Sequence, residues 1–298
     1  MDIYIADPIH RLSVNFTRNS AAYDQHPTWS VGGKLAYEFW DRTHEESDIY
    51  VADLRHGESI NITNSPDAFD EQPAWSPDGT RLVFTSTRKS ESASDIYMVN
   101  LISGEMQNLT NNPESDDQPV WLSNHEIVFV SNMDGAYRQL YLLNLDDGSV
   151  ENISNNDDFN HYPKVASQPQ LLAYTTVKRT DNRHWSINVW DSANRTTTTV
   201  MSNTHSSCFD WSRTGDLVFL ANLNGNYDIF VWDRSDGSTR NLTNNRADES
   251  CPNWLPDGRV AFEVDKQLYF LNPLTLSRQD GYPLQIGFLS TRTTAWSK

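Results

Sequence analysis

One phrase recurs along the chain and restricts its fold more than any other feature. Pro-x-Trp occurs as HPTW (26–29), QPAW (72–75), QPVW (118–121) and CPNW (251–254). A fifth copy, CFDW (208–211), keeps Trp211 with Phe209 in the proline position. A sixth, YPKV (162–165), keeps Pro163 with Val165 in the tryptophan position. Successive copies lie 46, 46, 44, 46 and 43 residues apart. That period is close to the roughly 40–45 residues of a four-stranded propeller blade.

Each repeat reads as four short strands. Strand A carries Pro-x-Trp, and a Pro-Asp-Gly turn follows, as in SPDG (76–79). Strand B alternates apolar and small residues in RLVFTS, EIVFVS and DLVFLA. Strand C is DIYVAD (48–53) and its relatives, and strand D ends in NIT (61–63), NLT (108–110), NIS (152–154) or NLT (241–243). Stacked units of this kind bury faces that no single unit buries alone. The predicted fold is an all-β propeller in one domain over residues 1–298. The C motif occurs seven times, because DIYIAD (2–7) stands alone, and B occurs seven times if QIGFLSTR (285–292) is counted. This favours seven blades closed by both termini, with six blades and an irregular tail as the alternative. A chain that opens inside a repeat reads as a fragment of a longer protein.

Composition narrows the partners. A net charge of −17 repels nucleic-acid phosphates and favours basic partners. No apolar run approaches the roughly 20 residues of a membrane-spanning helix. The expected state is a monomer without membrane insertion, and no nucleic acid is expected as partner.

The phrase LTNN…D…P-x-W-SPDG…F-x-S…DIY resembles the propeller repeats of the TolB type, related in style to WD repeats. The resemblance spans residues 2 to about 272 with six A motifs. It implies a protein-binding scaffold of the bacterial cell envelope, in a periplasmic or otherwise extracytoplasmic location. Similar blades also accompany serine-peptidase domains and form oligogalacturonate lyases. No G-x-S-x-G elbow is present in the sequence.

The candidate site starts three residues before each A-strand proline. That position reads Asp24, Asp70, Asp116, Asn160, Ser206 and Glu249. If these positions form a ring at a channel mouth, Asp24, Asp70, Asp116 and Glu249 suit calcium or another divalent cation, or a basic side chain. The plainer alternative is turn chemistry, each side chain bonding its own backbone. His26, Gln72, Gln118, His161 and Tyr162 follow on the same strands and extend the expected partner-binding surface. The histidines match no short metal-binding spacing, so no catalytic residue is expected and a lyase- or lactonase-like metal enzyme is the alternative reading. A structural domain of a larger protein is a third.

Cys208 and Cys251 fall at one repeat position in neighbouring blades, and two buried free thiols are the plainer expectation. The recurring tryptophans Trp29, Trp75, Trp121, Trp211 and Trp254 suit inter-blade packing. Trp190 and Trp232 break the strand C pattern and would mark a contact surface if exposed. Arg88 with Asp95, and Arg42 with Asp48, read as local ion pairs. Five of the six N-x-S/T sequons belong to the repeated strand D ending, so the repeat explains them without glycosylation. The segment KRTDNRHW (178–185) in the irregular fourth repeat is the most basic and is expected to mark a distinct contact edge.

Overall fold

Runs of β-branched and aromatic residues, bounded by Asn, Asp and Gly turns, become the strands of this all-β chain. The computed structural model describes residues 2–7, 12–18 and 22–273, together with Thr294 and Ala295. Within those spans it leaves out 42, 44–45, 91, 136, 167–169, 182–183, 205, 207, 224 and 266. The chain forms two units, residues 1–156 with 291–298, and residues 157–290.

The first unit opens with β1 (Tyr4–Asp7) and β2 (Leu12–Asn15). Its first blade is β3 (Ala22–Trp29), β4 (Lys34–Asp41), β5 (Glu46–Asp53) and β6 (Glu58–Asn61). The second is β7 (Asp70–Trp75), β8 (Arg81–Ser86), β9 (Asp95–Asn100) and β10 (Met106–Asn108). The third is β11 (Asp116–Trp121), β12 (Glu126–Ser131), β13 (Gln139–Asn144) and β14 (Val150–Asn152). In the second unit the fourth blade is β15 (Phe159–Val165), β16 (Leu171–Val177), β17 (Trp185–Asp191) and β18 (Thr196–Thr204). The fifth is β19 (Phe209–Trp211), β20 (Leu217–Asn222), β21 (Tyr227–Trp232) and β22 (Thr239–Asn241). The sixth is β23 (Asn253–Trp254), β24 (Val260–Val264) and β25 (Gln267–Leu271). Every blade is an antiparallel meander in chain order.

Six sheets among the described residues open with their own A strand, so the six-blade alternative holds and the favoured count of seven is corrected. The N-terminal pair β1–β2 builds no seventh meander. Its neighbour, β26 (Thr294–Ala295), runs parallel to β1 over two residue pairs, whereas a B strand would run antiparallel. The B-like run at 285–292 lies outside the described residues.

The B strands are buried on both faces rather than one. Leu82 and Phe84 of β8 pack with Ala36, Ile49 and Val51 of the first blade, while Val83 packs with Trp121, Ile127 and Phe129 of the third. Alternation in sequence therefore separates two apolar neighbours, not core from water. Stacked B–C aromatic pairs recur: Tyr37–Tyr50, Phe84–Tyr97, Phe129–Tyr141, Phe219–Phe230 and Phe262–Tyr269, all with centroids 5.8–6.0 Å apart.

The repeated tryptophans fasten blade to blade. The indole N–H of Trp75 donates to the Thr28 carbonyl (3.1 Å), that of Trp121 to Ala74 (3.2 Å) and that of Trp211 to Lys164 (2.8 Å). The Asn of the strand D ending forms a second clasp. Asn61, Asn108 and Asn241 each donate their amide to the carboxylate that opens strand C, Asp48, Asp95 and Asp228, at 2.8 Å. The hydroxyls of Thr63, Thr110 and Thr243 accept the next backbone N–H of strand C at 3.0 Å. Most sequons are thus hydrogen-bonding devices of the repeat.

Three local expectations are corrected. Trp190 and Trp232 are core residues, 4% and 7% exposed, and Trp232 packs in a cluster shared by the fourth and fifth blades. Arg88 pairs with Asp70 (2.7 Å) rather than Asp95, since it also stacks over Tyr97 and Phe84; Asp95 meets Lys89 at 3.7 Å. Arg42 lies outside the described residues. Cys208 and Cys251 are joined as a disulfide, with Cα atoms 5.1 Å apart. Both lie in loops just before their A strands, and a Cα separation of 5.1 Å is within disulfide reach.

Candidate functional site

The A strands share a backbone device that the repeat phrase does not announce. The residue before the proline adopts a left-handed conformation in four blades: His26 (φ 46°), Gln72 (55°), Gln118 (54°) and Tyr162 (54°). Each sits at a bulge, where pairing with strand B skips two residues. A bulge re-aims a side chain, and a non-glycine residue at positive φ costs on the order of 1–3 kcal/mol. Four repeats of that cost at one position mark a built feature.

The six positions expected to form a ring are buried, at 0–4% exposure, and most are engaged within their own blades. Asp70 accepts from the Ser86 hydroxyl (2.5 Å) and from Arg88 (2.7 Å). Asp116 accepts from the Asn112 amide (2.5 Å). Asn160 accepts from Thr176 (2.8 Å), and Glu249 from Asn245 (2.6 Å) and Thr243 (2.9 Å). The Ser206 carbonyl accepts from Thr175 (2.9 Å). Asp24 differs. Neither of its oxygens meets a donor at hydrogen-bonding distance among the described residues. Phe39 stands opposite it where Ser86 stands opposite Asp70. Burial pushes its carboxyl up to about 6, which the nearby Thr17 hydroxyl offsets only in part. Burial also raises Asp70, Asp116 and Glu249 above the ordinary carboxylate range.

The accessible polar groups lie beside these positions. In the first unit His26, half-exposed, meets the buried Glu38 carboxylate at 2.8 Å, and that bond raises the imidazole above its ordinary value. The Gln72 carbonyl accepts from the Gln118 backbone N–H (2.9 Å) and the Thr85 hydroxyl (3.2 Å). Asp117 is bridged by Arg138. Glu71 has no hydrogen bond or ion pair among the described residues. Burial, then repulsion from Glu38, raises its carboxyl, with His26 only partly compensating; Asp117 and Asp70 raise it further. In the second unit Tyr162 is 44% exposed and its ring lies against His161, 5.8 Å between centroids.

Glu38, Glu71, Asp117 and Arg138 are the residues that reading by motif missed. Glu71 and Asp117 each follow a marked aspartate directly. Glu38 is a lone charge inside an otherwise apolar B strand, LAYEFW, and that is a legible signal. Among the described residues no three His, Cys, Asp or Glu side chains converge to hold a metal ion. Of the four carboxylates expected to suit a cation, Asp70 and Glu249 accept from protein donors, while both Asp24 oxygens and Asp116 Oδ1 meet none among the described residues. Among the described residues no helix is long and apolar enough to cross a membrane.

A family model described as the TolB beta propeller domain matches residues 11–209. Among curated proteins, none matches the chain by sequence. Solved structures share its fold at low identity. TolB from Acinetobacter baumannii is similar at 19% identity and TM-score 0.64, covering 80% of this chain. This chain spans 58% of that protein's length. An oligogalacturonate lyase in complex with manganese is similar at 14% identity and TM-score 0.66, over 94% of this chain and 80% of the lyase. The β-propeller domain of the Trilobed protease from Pyrococcus furiosus, with an open velcro topology, is similar at 14% identity and TM-score 0.63, over 86% of this chain and 83% of the domain. One fold thus serves TolB, a lyase and a protease, and does not by itself assign an activity.

Proposed function

We propose, for a chain that belongs to the TolB β-propeller domain family, a non-catalytic role as a binding module that takes a basic segment of a protein or peptide. The segment docks on the bulged ends of β3, β7 and β11. The observation that carries this reading is Glu71. Its carboxylate is partly buried, unpaired among the described residues, and repelled by Glu38 and Asp117. A lysine or arginine placed there relieves that repulsion. Arg138 on Asp117 is an internal example of the same contact. The bulges hold His26, Gln72 and Gln118 beside it, and the −17 charge of the chain favours approach of a basic ligand.

The buried carboxylates Asp24, Asp70 and Asp116 serve this surface indirectly, by holding the A-strand ends. An extracytoplasmic location fits the reading, and the Cys208–Cys251 disulfide supports it, because such bonds persist in oxidising compartments.

The test is a titration of a labelled lysine-rich peptide against wild type, Glu71→Gln and Glu38→Gln at low and at physiological salt. The reading expects at least about tenfold weaker binding for Glu71→Gln. Equal binding to all three proteins, or none to wild type, overturns it. A pull-down from host extract with the same variants then identifies the partner.

A further inference from the structure

One position of the repeat ties neighbouring A strands together, and its chemistry changes along the chain. It is the residue before the proline, or before Phe209 in the fifth blade. In the first unit it is His26, Gln72 and Gln118, and the Gln72 side-chain carbonyl reaches the Gln118 backbone N–H at 2.9 Å. In the second unit it is Tyr162, Cys208 and Cys251, and the two cysteines are joined. A covalent bond stands there where the first unit has a hydrogen bond.

The bond lies where the A strands are least supported. β19 and β23 have three and two residues, against six to eight in the other A strands. β23 meets β24 over two residue pairs. Neither cysteine has the left-handed backbone of His26, Gln72, Gln118 and Tyr162. The Trp254 indole N–H meets no acceptor among the described residues, whereas those of Trp75, Trp121 and Trp211 each hold the preceding blade. The Trp254 backbone N–H donates to Asp210 instead, at 2.8 Å. Residues 247–249 are held on the fifth blade separately, by Asn226 and Tyr227. Cys251 is exposed and Cys208 half-buried, so a thiolate in solvent reaches Cys251. Exposed disulfides are the exchangeable ones.

We propose that Cys208–Cys251 is an exchangeable latch on the A strands of the fifth and sixth blades, opened by a protein dithiol. One thiolate of the dithiol attacks Cys251 Sγ, the S–S bond breaks, and Cys208 leaves as a thiolate that takes up a proton. The second thiolate of the partner attacks its own sulfur in the mixed disulfide and releases Cys251. The dithiol gives up two electrons and two protons, and the two cysteines take them up. A single thiol does not suffice. Cys208 stays beside the mixed disulfide, since the two Cα atoms are 5.1 Å apart when latched, and recloses the bond before a second thiol molecule arrives. In an oxidising compartment the latched form is the resting one. Opening frees residues 250–254 and leaves 247–249 in place. The latch belongs to the second unit and does not depend on Glu71.

The full chain is treated with dithiothreitol, or with glutathione at equal thiol concentration, and followed by thiol alkylation and by hydrogen exchange read by mass spectrometry. The proposal expects dithiothreitol to open the bond at a rate first order in dithiol and unchanged by sub-denaturing urea, and glutathione to leave it largely closed. Residues 250–254 then exchange at least about tenfold faster, with β7 to β13 unchanged. Cys208→Ser/Cys251→Ser exchanges like the reduced wild type and ignores the dithiol. If that variant fails to fold, reduction of the wild type still decides. Reduction that accelerates with urea reaches the bond only through unfolding and overturns the proposal. So do unchanged exchange at 250–254, faster exchange throughout the chain, or equal opening by glutathione.

Discussion

The Gln72 side-chain carbonyl accepts the backbone N–H of Gln118, 2.9 Å away and one repeat further along the chain. Both residues sit at left-handed bulges, so one strained position satisfies the next. Removing the acceptor strands a partly buried N–H. Gln72→Leu is expected to lose about 1–3 kcal/mol, while Gln72→Glu, which keeps an acceptor, loses less. Urea unfolding of the two variants compares them.

Asp24 makes stability depend on pH in an uncommon direction. Its carboxyl is held at about 6 in the fold against 3.8 for the free group. A raised carboxyl favours the fold while it is protonated in both states, so the contribution is complete below about pH 4 and lost as pH rises through about 6. The loss is on the order of 3 kcal/mol. Asp70, Asp116, Glu71 and Glu249 shift in the same direction. Asp24→Asn is expected to raise stability at pH 7.5 and leave it nearly unchanged at pH 4. Unfolding measured at both values decides, and equal effects at both values would contradict the assignment.

Arg88 holds a buried charge in place. Asp70 is fully buried and Arg88 is its only cationic partner among the described residues. Arg88→Ala is expected to cost about 3–5 kcal/mol, because it leaves an uncompensated carboxylate. Adding Asp70→Asn in the same chain should recover much of that loss. A double-mutant cycle by urea unfolding measures the coupling.

The disulfide closes a loop across 43 residues of sequence. On chain-entropy grounds it contributes about 4 kcal/mol. The Cys208→Ser/Cys251→Ser chain should melt at the temperature of the reduced wild type, below that of the oxidised wild type. Calorimetry with and without a thiol reductant checks both statements.

The blades were legible in sequence because each carries its own punctuation. Pro-x-Trp, the Pro-Asp-Gly turn and the closing N-x-T each act within a few residues, and variants of the Pro-x-Trp phrase open all six blades, while the lone N-terminal C motif, which has no such phrase, led to a count of seven. The site was less legible. Asp70 and Glu71 are adjacent and both acidic, yet one is fully buried against Arg88 and the other lacks a partner among the described residues. Nothing local separates them, since strand pairing and the bulge decide which way each points.

Sequence by itself determined the strands, their order and the tryptophan spacing that lets one blade fasten to the next. Tertiary structure decided the rest. It buried the six positions expected at a channel mouth, joined Cys208 to Cys251, and set Arg88 against Asp70 instead of Asp95. The physical reason is common to all three. Whether a polar group meets water, a neighbour or a disulfide partner depends on chain segments tens of residues away, and no periodicity within one strand records them.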